Sequence, residues 1–542
     1  MKHILRISLA LFLMLPLVAG AQSVVTKSAD EVKLFAASQA FNGGDYVKAL
    51  NLYKEVLANN LNDPSVIFHI GTCYFEMGET DQALTQFEKA KGINPDGHPD
   101  LRLMLGRIYQ MQGKLDEAIT ELTVAKSKTS SSPAKSKEVA YYLNQCQTAK
   151  TLMASPKKVA VTNPGTLINS AYDDKRPSIT ADGKTMIFNS RRPGGKTSEK
   201  DREGDNKYFE DIYMCAWDSA GMKWGAADLA SGAINTDGHD AACSISPDGK
   251  QLFIYVNNAE KARGGDIYTS KRNNSGKWSN PKNMGVNINT SYFEDGAVLS
   301  PDGNTMYFMS ERGQDMAWKG QRGYGRSDIW MCKRKSKSEW DVPVNLGPVV
   351  NTEYDEGGIF PAPDGKTLYF CSNGHNSMGG YDIFMTRFEN GVWSTPVNVG
   401  YPINTPGNER MFQLSADGKT AYVDSDRPGG LGERDIWMVD MTELMPKKKE
   451  GPVMSTLLGS IYNGDGLSVA AEVKVFDVNG TQIGTATSTP QGNYSLNLEG
   501  DRTYEIRVEM PGYKAVKETI SLPADKEGGT FELVKHFIIY KE

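Results

Sequence analysis

Ser246-Pro247-Asp248-Gly249, followed by Asp266-Ile267-Tyr268 and then by Trp278, is the stretch that decides the fold, because the chain repeats it five times. The other Asp-Gly pairs stand at Asp182-Gly183, Asp302-Gly303, Asp364-Gly365 and Asp417-Gly418, and each precedes an Asp-Ile-aromatic triplet beginning at Asp211, Asp328, Asp382 or Asp435. A period of roughly 50 to 65 residues with several short strands per copy predicts the blades of a β-propeller. Each Asp-Gly lies between apolar-alternating runs such as Thr367-Leu368-Tyr369-Phe370, which makes it a hairpin turn whose glycine takes a positive φ. The triplet opens a third strand, and Trp224, Trp278, Trp340 and Trp393 mark a fourth. No such Trp follows Asp435-Ile436-Trp437, whereas an orphan segment, Lys158 to Leu167, precedes the first copy. The orphan is therefore expected to complete the last blade, giving five blades, or six if a degenerate copy is hidden.

Upstream, residues 28 to 152 read as paired helices. Gly71, Tyr74, Ala83, Phe87, Ala90 and Pro95 fall on the positions of a 34-residue tetratricopeptide unit, in which small residues let two helices approach and aromatics fill the space left. Leu105, Gly106, Tyr109, Ala118, Leu122 and Ala125 repeat the scheme, and Ala37, Ala49 and Tyr53 do so more loosely. Ser127 to Ser136 reads as a loop, and a last helix from about Lys137 to Leu152 is expected to cap the stack. The concave face of such a stack binds a peptide or helix; the alternative is that the repeats simply dock onto the next domain. Downstream, residues 453 to 542 carry short alternating strands, among them Ala471 to Phe476 and Tyr504 to Val508, and predict a small β-sandwich after a linker at Pro446 to Pro452.

At its start the chain places Lys2, His3 and Arg6 before an apolar run from Ile7 to Val18 and closes with Ala19-Gly20-Ala21. That pattern predicts a secretory signal peptide over residues 1 to 21, and no later run is long enough to span a bilayer. The domain order expected is thus signal peptide 1–21, tetratricopeptide repeats 28–152, propeller 158–445 and sandwich 453–542. A net charge of −6 over 542 residues, with no basic block interleaved with aromatics, gives no reason to expect a nucleic-acid partner; Lys447 to Lys449 reads as solvated linker. Six dispersed cysteines without CxxC spacing read as buried small hydrophobes rather than a disulfide framework.

Five residues after the Asn of each inter-blade motif stands an acid: Asp174, Asp240, Glu294, Glu356 and Glu409. Placed just before the innermost strand of each blade, they are expected to ring one mouth of the central channel. Such a ring would take a cation, Ca or Mg, or a basic segment of a partner. The alternative is that each acid caps a turn or pairs with a loop arginine, for which Arg192, Arg312 and Arg427 occupy matched places. Catalytic chemistry has no carrier: no Gly-x-Ser-x-Gly elbow, His-Glu-x-x-His or Walker loop occurs, and Ser132-Pro133-Ala134-Lys135 matches Ser-x-x-Lys by chance. His239 and His375 lie in propeller loops as ordinary surface residues, and the glycine pairs at Gly194, Gly264, Gly379 and Gly429 recur before each third strand as sharp turns. No catalytic, cofactor or confident metal residue is expected.

With five Asp-Gly turns and five Asp-Ile-aromatic triplets, the central region resembles the TolB-like propellers. Gly492-Asn493-Tyr494 and Pro511-Gly512-Tyr513 make the last region similar to carboxypeptidase regulatory-like domains. The whole order resembles the Por E-like periplasmic proteins of the type IX secretion system of Bacteroidetes. Members of that family continue into an OmpA-like domain that holds peptidoglycan, whereas this sequence ends at Glu542, so direct peptidoglycan binding is not expected. The resemblance implies a non-enzymatic scaffold or adaptor in an envelope complex, periplasmic and associated with the outer membrane, with envelope proteins as partners through the tetratricopeptide groove and a propeller face. A second reading is a periplasmic module that captures a peptide or glycan at the propeller mouth; a third, a hydrolase, finds no motif.

Overall fold

A computed structural model describes residues 29–129, 131–201, 205–257, 264–314, 317–336, 339–444, 454–523 and 531–542. The expected signal peptide and the linker at Pro446 to Pro452 lie outside these residues. The chain divides into two compact units, Met1–Glu443 and Leu444–Glu542. A helical region is followed by a large β-rich region.

Seven helices are described: α1 (29–42), α2 (Tyr46–Leu57), α3 (Pro64–Glu76), α4 (Thr80–Ile93), α5 (Leu101–Met111), α6 (Leu115–Lys128) and α7 (Pro133–Met153). Asp63 caps α3 by accepting from the backbone N–H of Ser65 and Val66, and Pro64 fills the first helical position, where its missing N–H costs nothing. A Cβ on Gly71 would stand 2.6 Å from the ring of Phe87, and one on Gly106 would stand 2.5 Å from Leu122, so only glycine lets each helix pair close. The stretch expected as a loop, Ser127 to Ser136, is largely helical: α6 runs to Lys128 and α7 starts at Pro133, because proline favours the first turn of a helix as readily as a loop. Lys135, in that turn, pairs with Asp100 and Glu138, which leaves Ser132 without a lysine to act on it.

The β-rich part of the first unit begins with β1 (Val161–Thr162) and continues as repeated antiparallel sheets. The first holds β2 (Asp174–Ile179), β3 (Thr185–Ser190), β4 (Asp211–Asp218), β5 (Lys223–Trp224) and β6 (Asp228–Leu229). The second holds β7 (Ala241–Ile245), β8 (Gln251–Val256), β9 (Asp266–Lys271) and β10 (Lys282–Asn283). The third holds β11 (Glu294–Leu299), β12 (Thr305–Ser310), β13 (Asp328–Lys333) and β14 (Val344–Asn345). The fourth holds β15 (Glu356–Pro361), β16 (Thr367–Ser372), β17 (Asp382–Glu389), β18 (Val392–Trp393) and β19 (Val397–Asn398). The fifth holds β20 (Glu409–Leu414), β21 (Thr420–Ser425) and β22 (Asp435–Asp440), and β1 supplies its outer strand, Val161 facing Val439 and Thr162 facing Met438.

Hydrophobic side chains gather between neighbouring sheets rather than within one. Phe253 of the second sheet shares a cluster with Phe308 and Trp330 of the third, and Tyr422 and Ile436 of the fifth share one with Phe188 and Tyr213 of the first. Trp224 donates its indole N–H to the Tyr422 hydroxyl at 3.0 Å across that last boundary. The expected Trp-bearing fourth strand is broken: Trp224 and Trp393 sit in two-residue pairs on the far end of the third strand, and a separate short strand pairs its near end. The third strand overruns its neighbour, so the returning chain has to meet it twice.

Helix α7 does more than cover the stack. Tyr141 donates to the carbonyl of Asn373 at 2.6 Å and stacks on Tyr354 at 4.7 Å, Gln145 donates to Ser377, and Lys137 pairs with Glu353. Met378 of the fourth sheet's loop packs with Leu115 and Ala149. Lys207, from the first sheet, donates to the carbonyl of Met77 at the end of α3.

The second unit comprises β23 (Met454–Asn463), β24 (Glu472–Phe476), β25 (Gln482–Thr487), β26 (Asn493–Glu499), β27 (Arg502–Glu509), β28 (Val516–Leu522), β29 (Phe531–Val534) and β30 (Phe537–Ile539). They form two four-stranded sheets, β25-β24-β27-β28 and β26-β23 with β29 and β30, which share one apolar core from Leu457 to Ile539.

Candidate functional site

The repeated polar residues of the sheets act first on the backbone. In each inter-sheet motif the Asn side chain copies a strand partner: Asn351 accepts from the N–H of Ile329 and donates to the carbonyl of the same residue. Asn169, Asn289 and Asn404 do the same to Ile436, Ile267 and Ile383. A buried backbone group without a partner is costly; these amides supply the partner of the N–H and add a second bond to carbonyls that, in Ile267, Ile329 and Ile383, already accept from a backbone N–H.

The five acids follow directly. Asp174, Glu294, Glu356 and Glu409 are the first residues of β2, β11, β15 and β20, and Asp240 immediately precedes β7. Each carboxylate accepts from the backbone N–H and the hydroxyl of the Ser or Thr four residues before it: Ser170, Thr236, Thr290, Thr352 and Thr405 in order. Ser310, Ser372 and Ser425 add a further hydroxyl to the three glutamates. Arg192 reaches Asp174 at 2.6 Å, and Arg312 and Arg427 reach Glu294 and Glu409 at 3.4 Å. In the fourth sheet His375 stands where the arginine would be, its Nε2 2.9 Å from the carbonyl of Val350.

Turn caps and arginine partners thus describe how the acids are held. All five are buried, and no group of three His, Cys, Asp or Glu placed to hold a metal ion occurs among the described residues. Burial pushes the carboxyl of Glu356 up to about 7, and does the same to Glu409 against the pull of Arg427. The six cysteines are free and buried. His239 meets Asp201 at 3.4 Å and Phe209, whereas His375 packs against Phe370 and Phe384.

Of the five acids only Glu356 reaches the cavity that runs between the sheets, which is lined mainly by neighbours of the acids. Strand side chains alternate, so the residues after the acids, Lys175, Ala241, Asp295, Gly357 and Arg410, point the other way and line a cavity of about 580 Å³. Every inner strand slips register just beyond the acid, a bulge that re-aims the next side chain. At that bulge Arg176 has φ +56° and clasps Asp295 of the third sheet through both guanidinium nitrogens. Gly358 has φ +51°, and a Cβ there would lie 1.9 Å from the carbonyl oxygen of Arg410, so two inner strands touch at this glycine. Asp424 ties the fifth sheet to the first, accepting from Arg410 and Met411 N–H on one oxygen and from Arg176 N–H on the other. Sequence reasoning missed this lining; the period-two alternation of the inner strand was the available signal.

A tetratricopeptide repeat model matches residues 40–97, and the helical region is of that type. The BBSome complex member BBS4 of Bos taurus is 33% identical over 91 residues, 17% of this chain and 17% of that protein, and the Mus musculus protein matches to the same extent. The chain thus spans about one sixth of the length of the curated relatives it matches. Solved structures similar to the helical region include the Yersinia enterocolitica type III secretion translocator chaperone SycD, 19% identical over 22% of this chain and 85% of that one with a TM-score of 0.21. The Arabidopsis OM64 tetratricopeptide domain is 20% identical over 22% of this chain and 98% of that one, with a TM-score of 0.21.

Proposed function

We propose that this chain is a non-enzymatic scaffold or adaptor in a cell-envelope protein complex, of the type IX secretion kind or a related outer-membrane assembly. The observation that carries the reading is a tetratricopeptide stack anchored on the sheets through α7 while its first helix keeps Val32 and Phe35 on one exposed face, 67% and 68% accessible. Two large apolar side chains at i, i+3 on an anchored repeat helix are what a partner helix or peptide covers.

In this reading the five sheets are the blades of a TolB-like propeller, closed where β1 joins β22 and where the first sheet packs on the fifth. The second unit is a carboxypeptidase regulatory-like sandwich, the chain is exported to the periplasm, and neither catalysis nor a cofactor is involved. The five acids serve the blades that hold them. Added calcium or magnesium would then leave the melting temperature unchanged, and a rise would return the acids to a cation-binding role.

The test is co-purification of the tagged full chain from envelope fractions of its own host. Defined envelope proteins recovered with the wild type and lost with Val32→Glu plus Phe35→Glu, at unchanged melting temperature, support the scaffold. A wild-type chain recovered alone, or from the cytoplasmic fraction, rejects it.

A further inference from the structure

Five cations line the cavity at the centre of the sheets, and four of them are met by carboxylates. Lys175 lies 2.8 Å from Asp173 and 2.9 Å from Glu210, and Arg176 clasps Asp295. Arg326 stands 3.6 Å from both Glu311 and Asp355, and Arg434 stands 3.7 Å from Asp173. Arg410 differs: among the described residues no carboxylate pairs with its guanidinium, whose contact is the face of Tyr381 at 4.6 Å. Its backbone is pinned by Asp424, so the side chain projects into the cavity from a fixed point. The Nε of Arg434, beside it, is buried and, although 3.7 Å from Asp173, makes no hydrogen bond among the described residues. The surrounding cavity walls hold Arg410 below the usual arginine range by partial desolvation, and the like charge of Arg434 adds to the effect.

Arg410 keeps an exposed guanidinium on the cavity wall next to a second cation, so it is open to an anion that enters the cavity. We propose that Arg410 and Arg434 form a receptor site for one carboxylate of a ligand that enters this cavity. The planar guanidinium fork matches a carboxylate through two parallel N–H bonds, and Tyr381 holds the fork in place from below. A single negative charge fits better than a phosphate dianion, because Glu210, Glu311 and Asp355 line the same space and repel further charge. The volume accommodates a short peptide end or a small organic acid. This inference is independent of the envelope reading and stands whether or not the chain is a scaffold.

The experiment is calorimetric titration of the full chain at low salt with three probes: acetyl-Ala-Ala-Ala with a free C-terminal carboxylate, the same peptide amidated, and propionate. Binding of either acid in about the millimolar range or tighter, absent for the amide and weakened at least about tenfold by Arg410→Gln, is the result expected. Preference for the peptide over propionate identifies a peptide carboxylate as the ligand, and the reverse identifies a small acid. Arg410→Lys, which keeps the charge and loses the fork, falls between wild type and Arg410→Gln. Arg410→Gln melts at or above the wild-type temperature, because it removes a charge that has no partner. Failure of both acids to bind, equal binding of the amide, unaltered affinity in Arg410→Gln or a marked fall in its melting temperature would overturn the proposal.

Discussion

In the helical stack the repeat consists of Gly71, Ala83, Phe87 and Ala90 and their counterparts, all buried and apolar, because a helix satisfies its own backbone and asks side chains only to pack. In the sheets the repeat consists of Asn351, Thr352 and Glu356 and their counterparts, polar and largely withdrawn from solvent, because strands of two to eight residues leave backbone N–H groups that only side chains reach. The two halves of the first unit thus draw their regularity from different physics. A tetratricopeptide position tolerates any side chain of the right size, whereas a clamp position requires one donor and one acceptor in a set place.

The largest effects that would break this comparison are truncations of one buried side chain on each side. Phe87→Ala leaves a cavity in the stack, and Arg312→Ala strips Glu294 of its cation; each costs about 3 to 5 kcal/mol. They separate with pH. Burial already raises the carboxyl of Glu294, which protonates readily once Arg312 is gone, so the cost of Arg312→Ala shrinks between pH 7 and pH 5 while that of Phe87→Ala stays level in urea titrations. Equal pH dependence would remove the distinction.

Next in size is the clamp. Asn351→Ala leaves the N–H of Ile329 unpaired in the interior, while its carbonyl still accepts from Leu346, and costs about 1 to 3 kcal/mol, against about 1 kcal/mol for removing the α3 cap in Asp63→Ala. Similar losses, read by thermal or urea unfolding, would mean that the backbone of the sheets does not depend on side chains as described.

The smallest effects are the pH slopes. Burial among aromatic rings lowers His98 to about 4 from 6.5, so between those values the unfolded chain binds a proton that the folded stack refuses, and stability falls as pH drops through that window. Glu356 and Glu409, raised to about 7 from 4.5, keep their protons in the folded state, so the sheets lose stability as pH rises from 4.5 through 7. Melting curves of His98→Phe and Glu409→Gln should therefore diverge from wild type in opposite pH directions. A shared slope would contradict the contrast.

The same difference governs what the sequence disclosed. The tetratricopeptide helices were legible because Gly71, Tyr74 and Phe87 recur by type, and the strands because every copy carries its Asp-Gly and its Asp-Ile-aromatic triplet. The acids were conspicuous for that reason too, and their regularity matches that of the hydroxyl and N–H four residues earlier. The cavity lining was illegible because Lys175, Ala241, Asp295, Gly357 and Arg410 differ in every copy; a position that varies leaves no periodic signal. The start of α7 was misjudged because serine and lysine around Pro133 suit a loop as well as a helix start. The docking of Tyr141 on Tyr354 joins residues that share no pattern at all.

Strand β1 carries one further consequence, for the order in which the molecule forms. Val161 pairs with Val439, so the outer edge of the fifth sheet is supplied by residues that leave the ribosome about 280 positions before the strand they complete. Until β22 appears, that short segment has nothing to bond to, while the stack, whose contacts are local, can already be folded. A chain delivered from its N-terminus would thus carry a finished helical end ahead of an unfinished set of sheets, and the pairing of β1 with β22 would set the moment at which the unit becomes resistant to proteases.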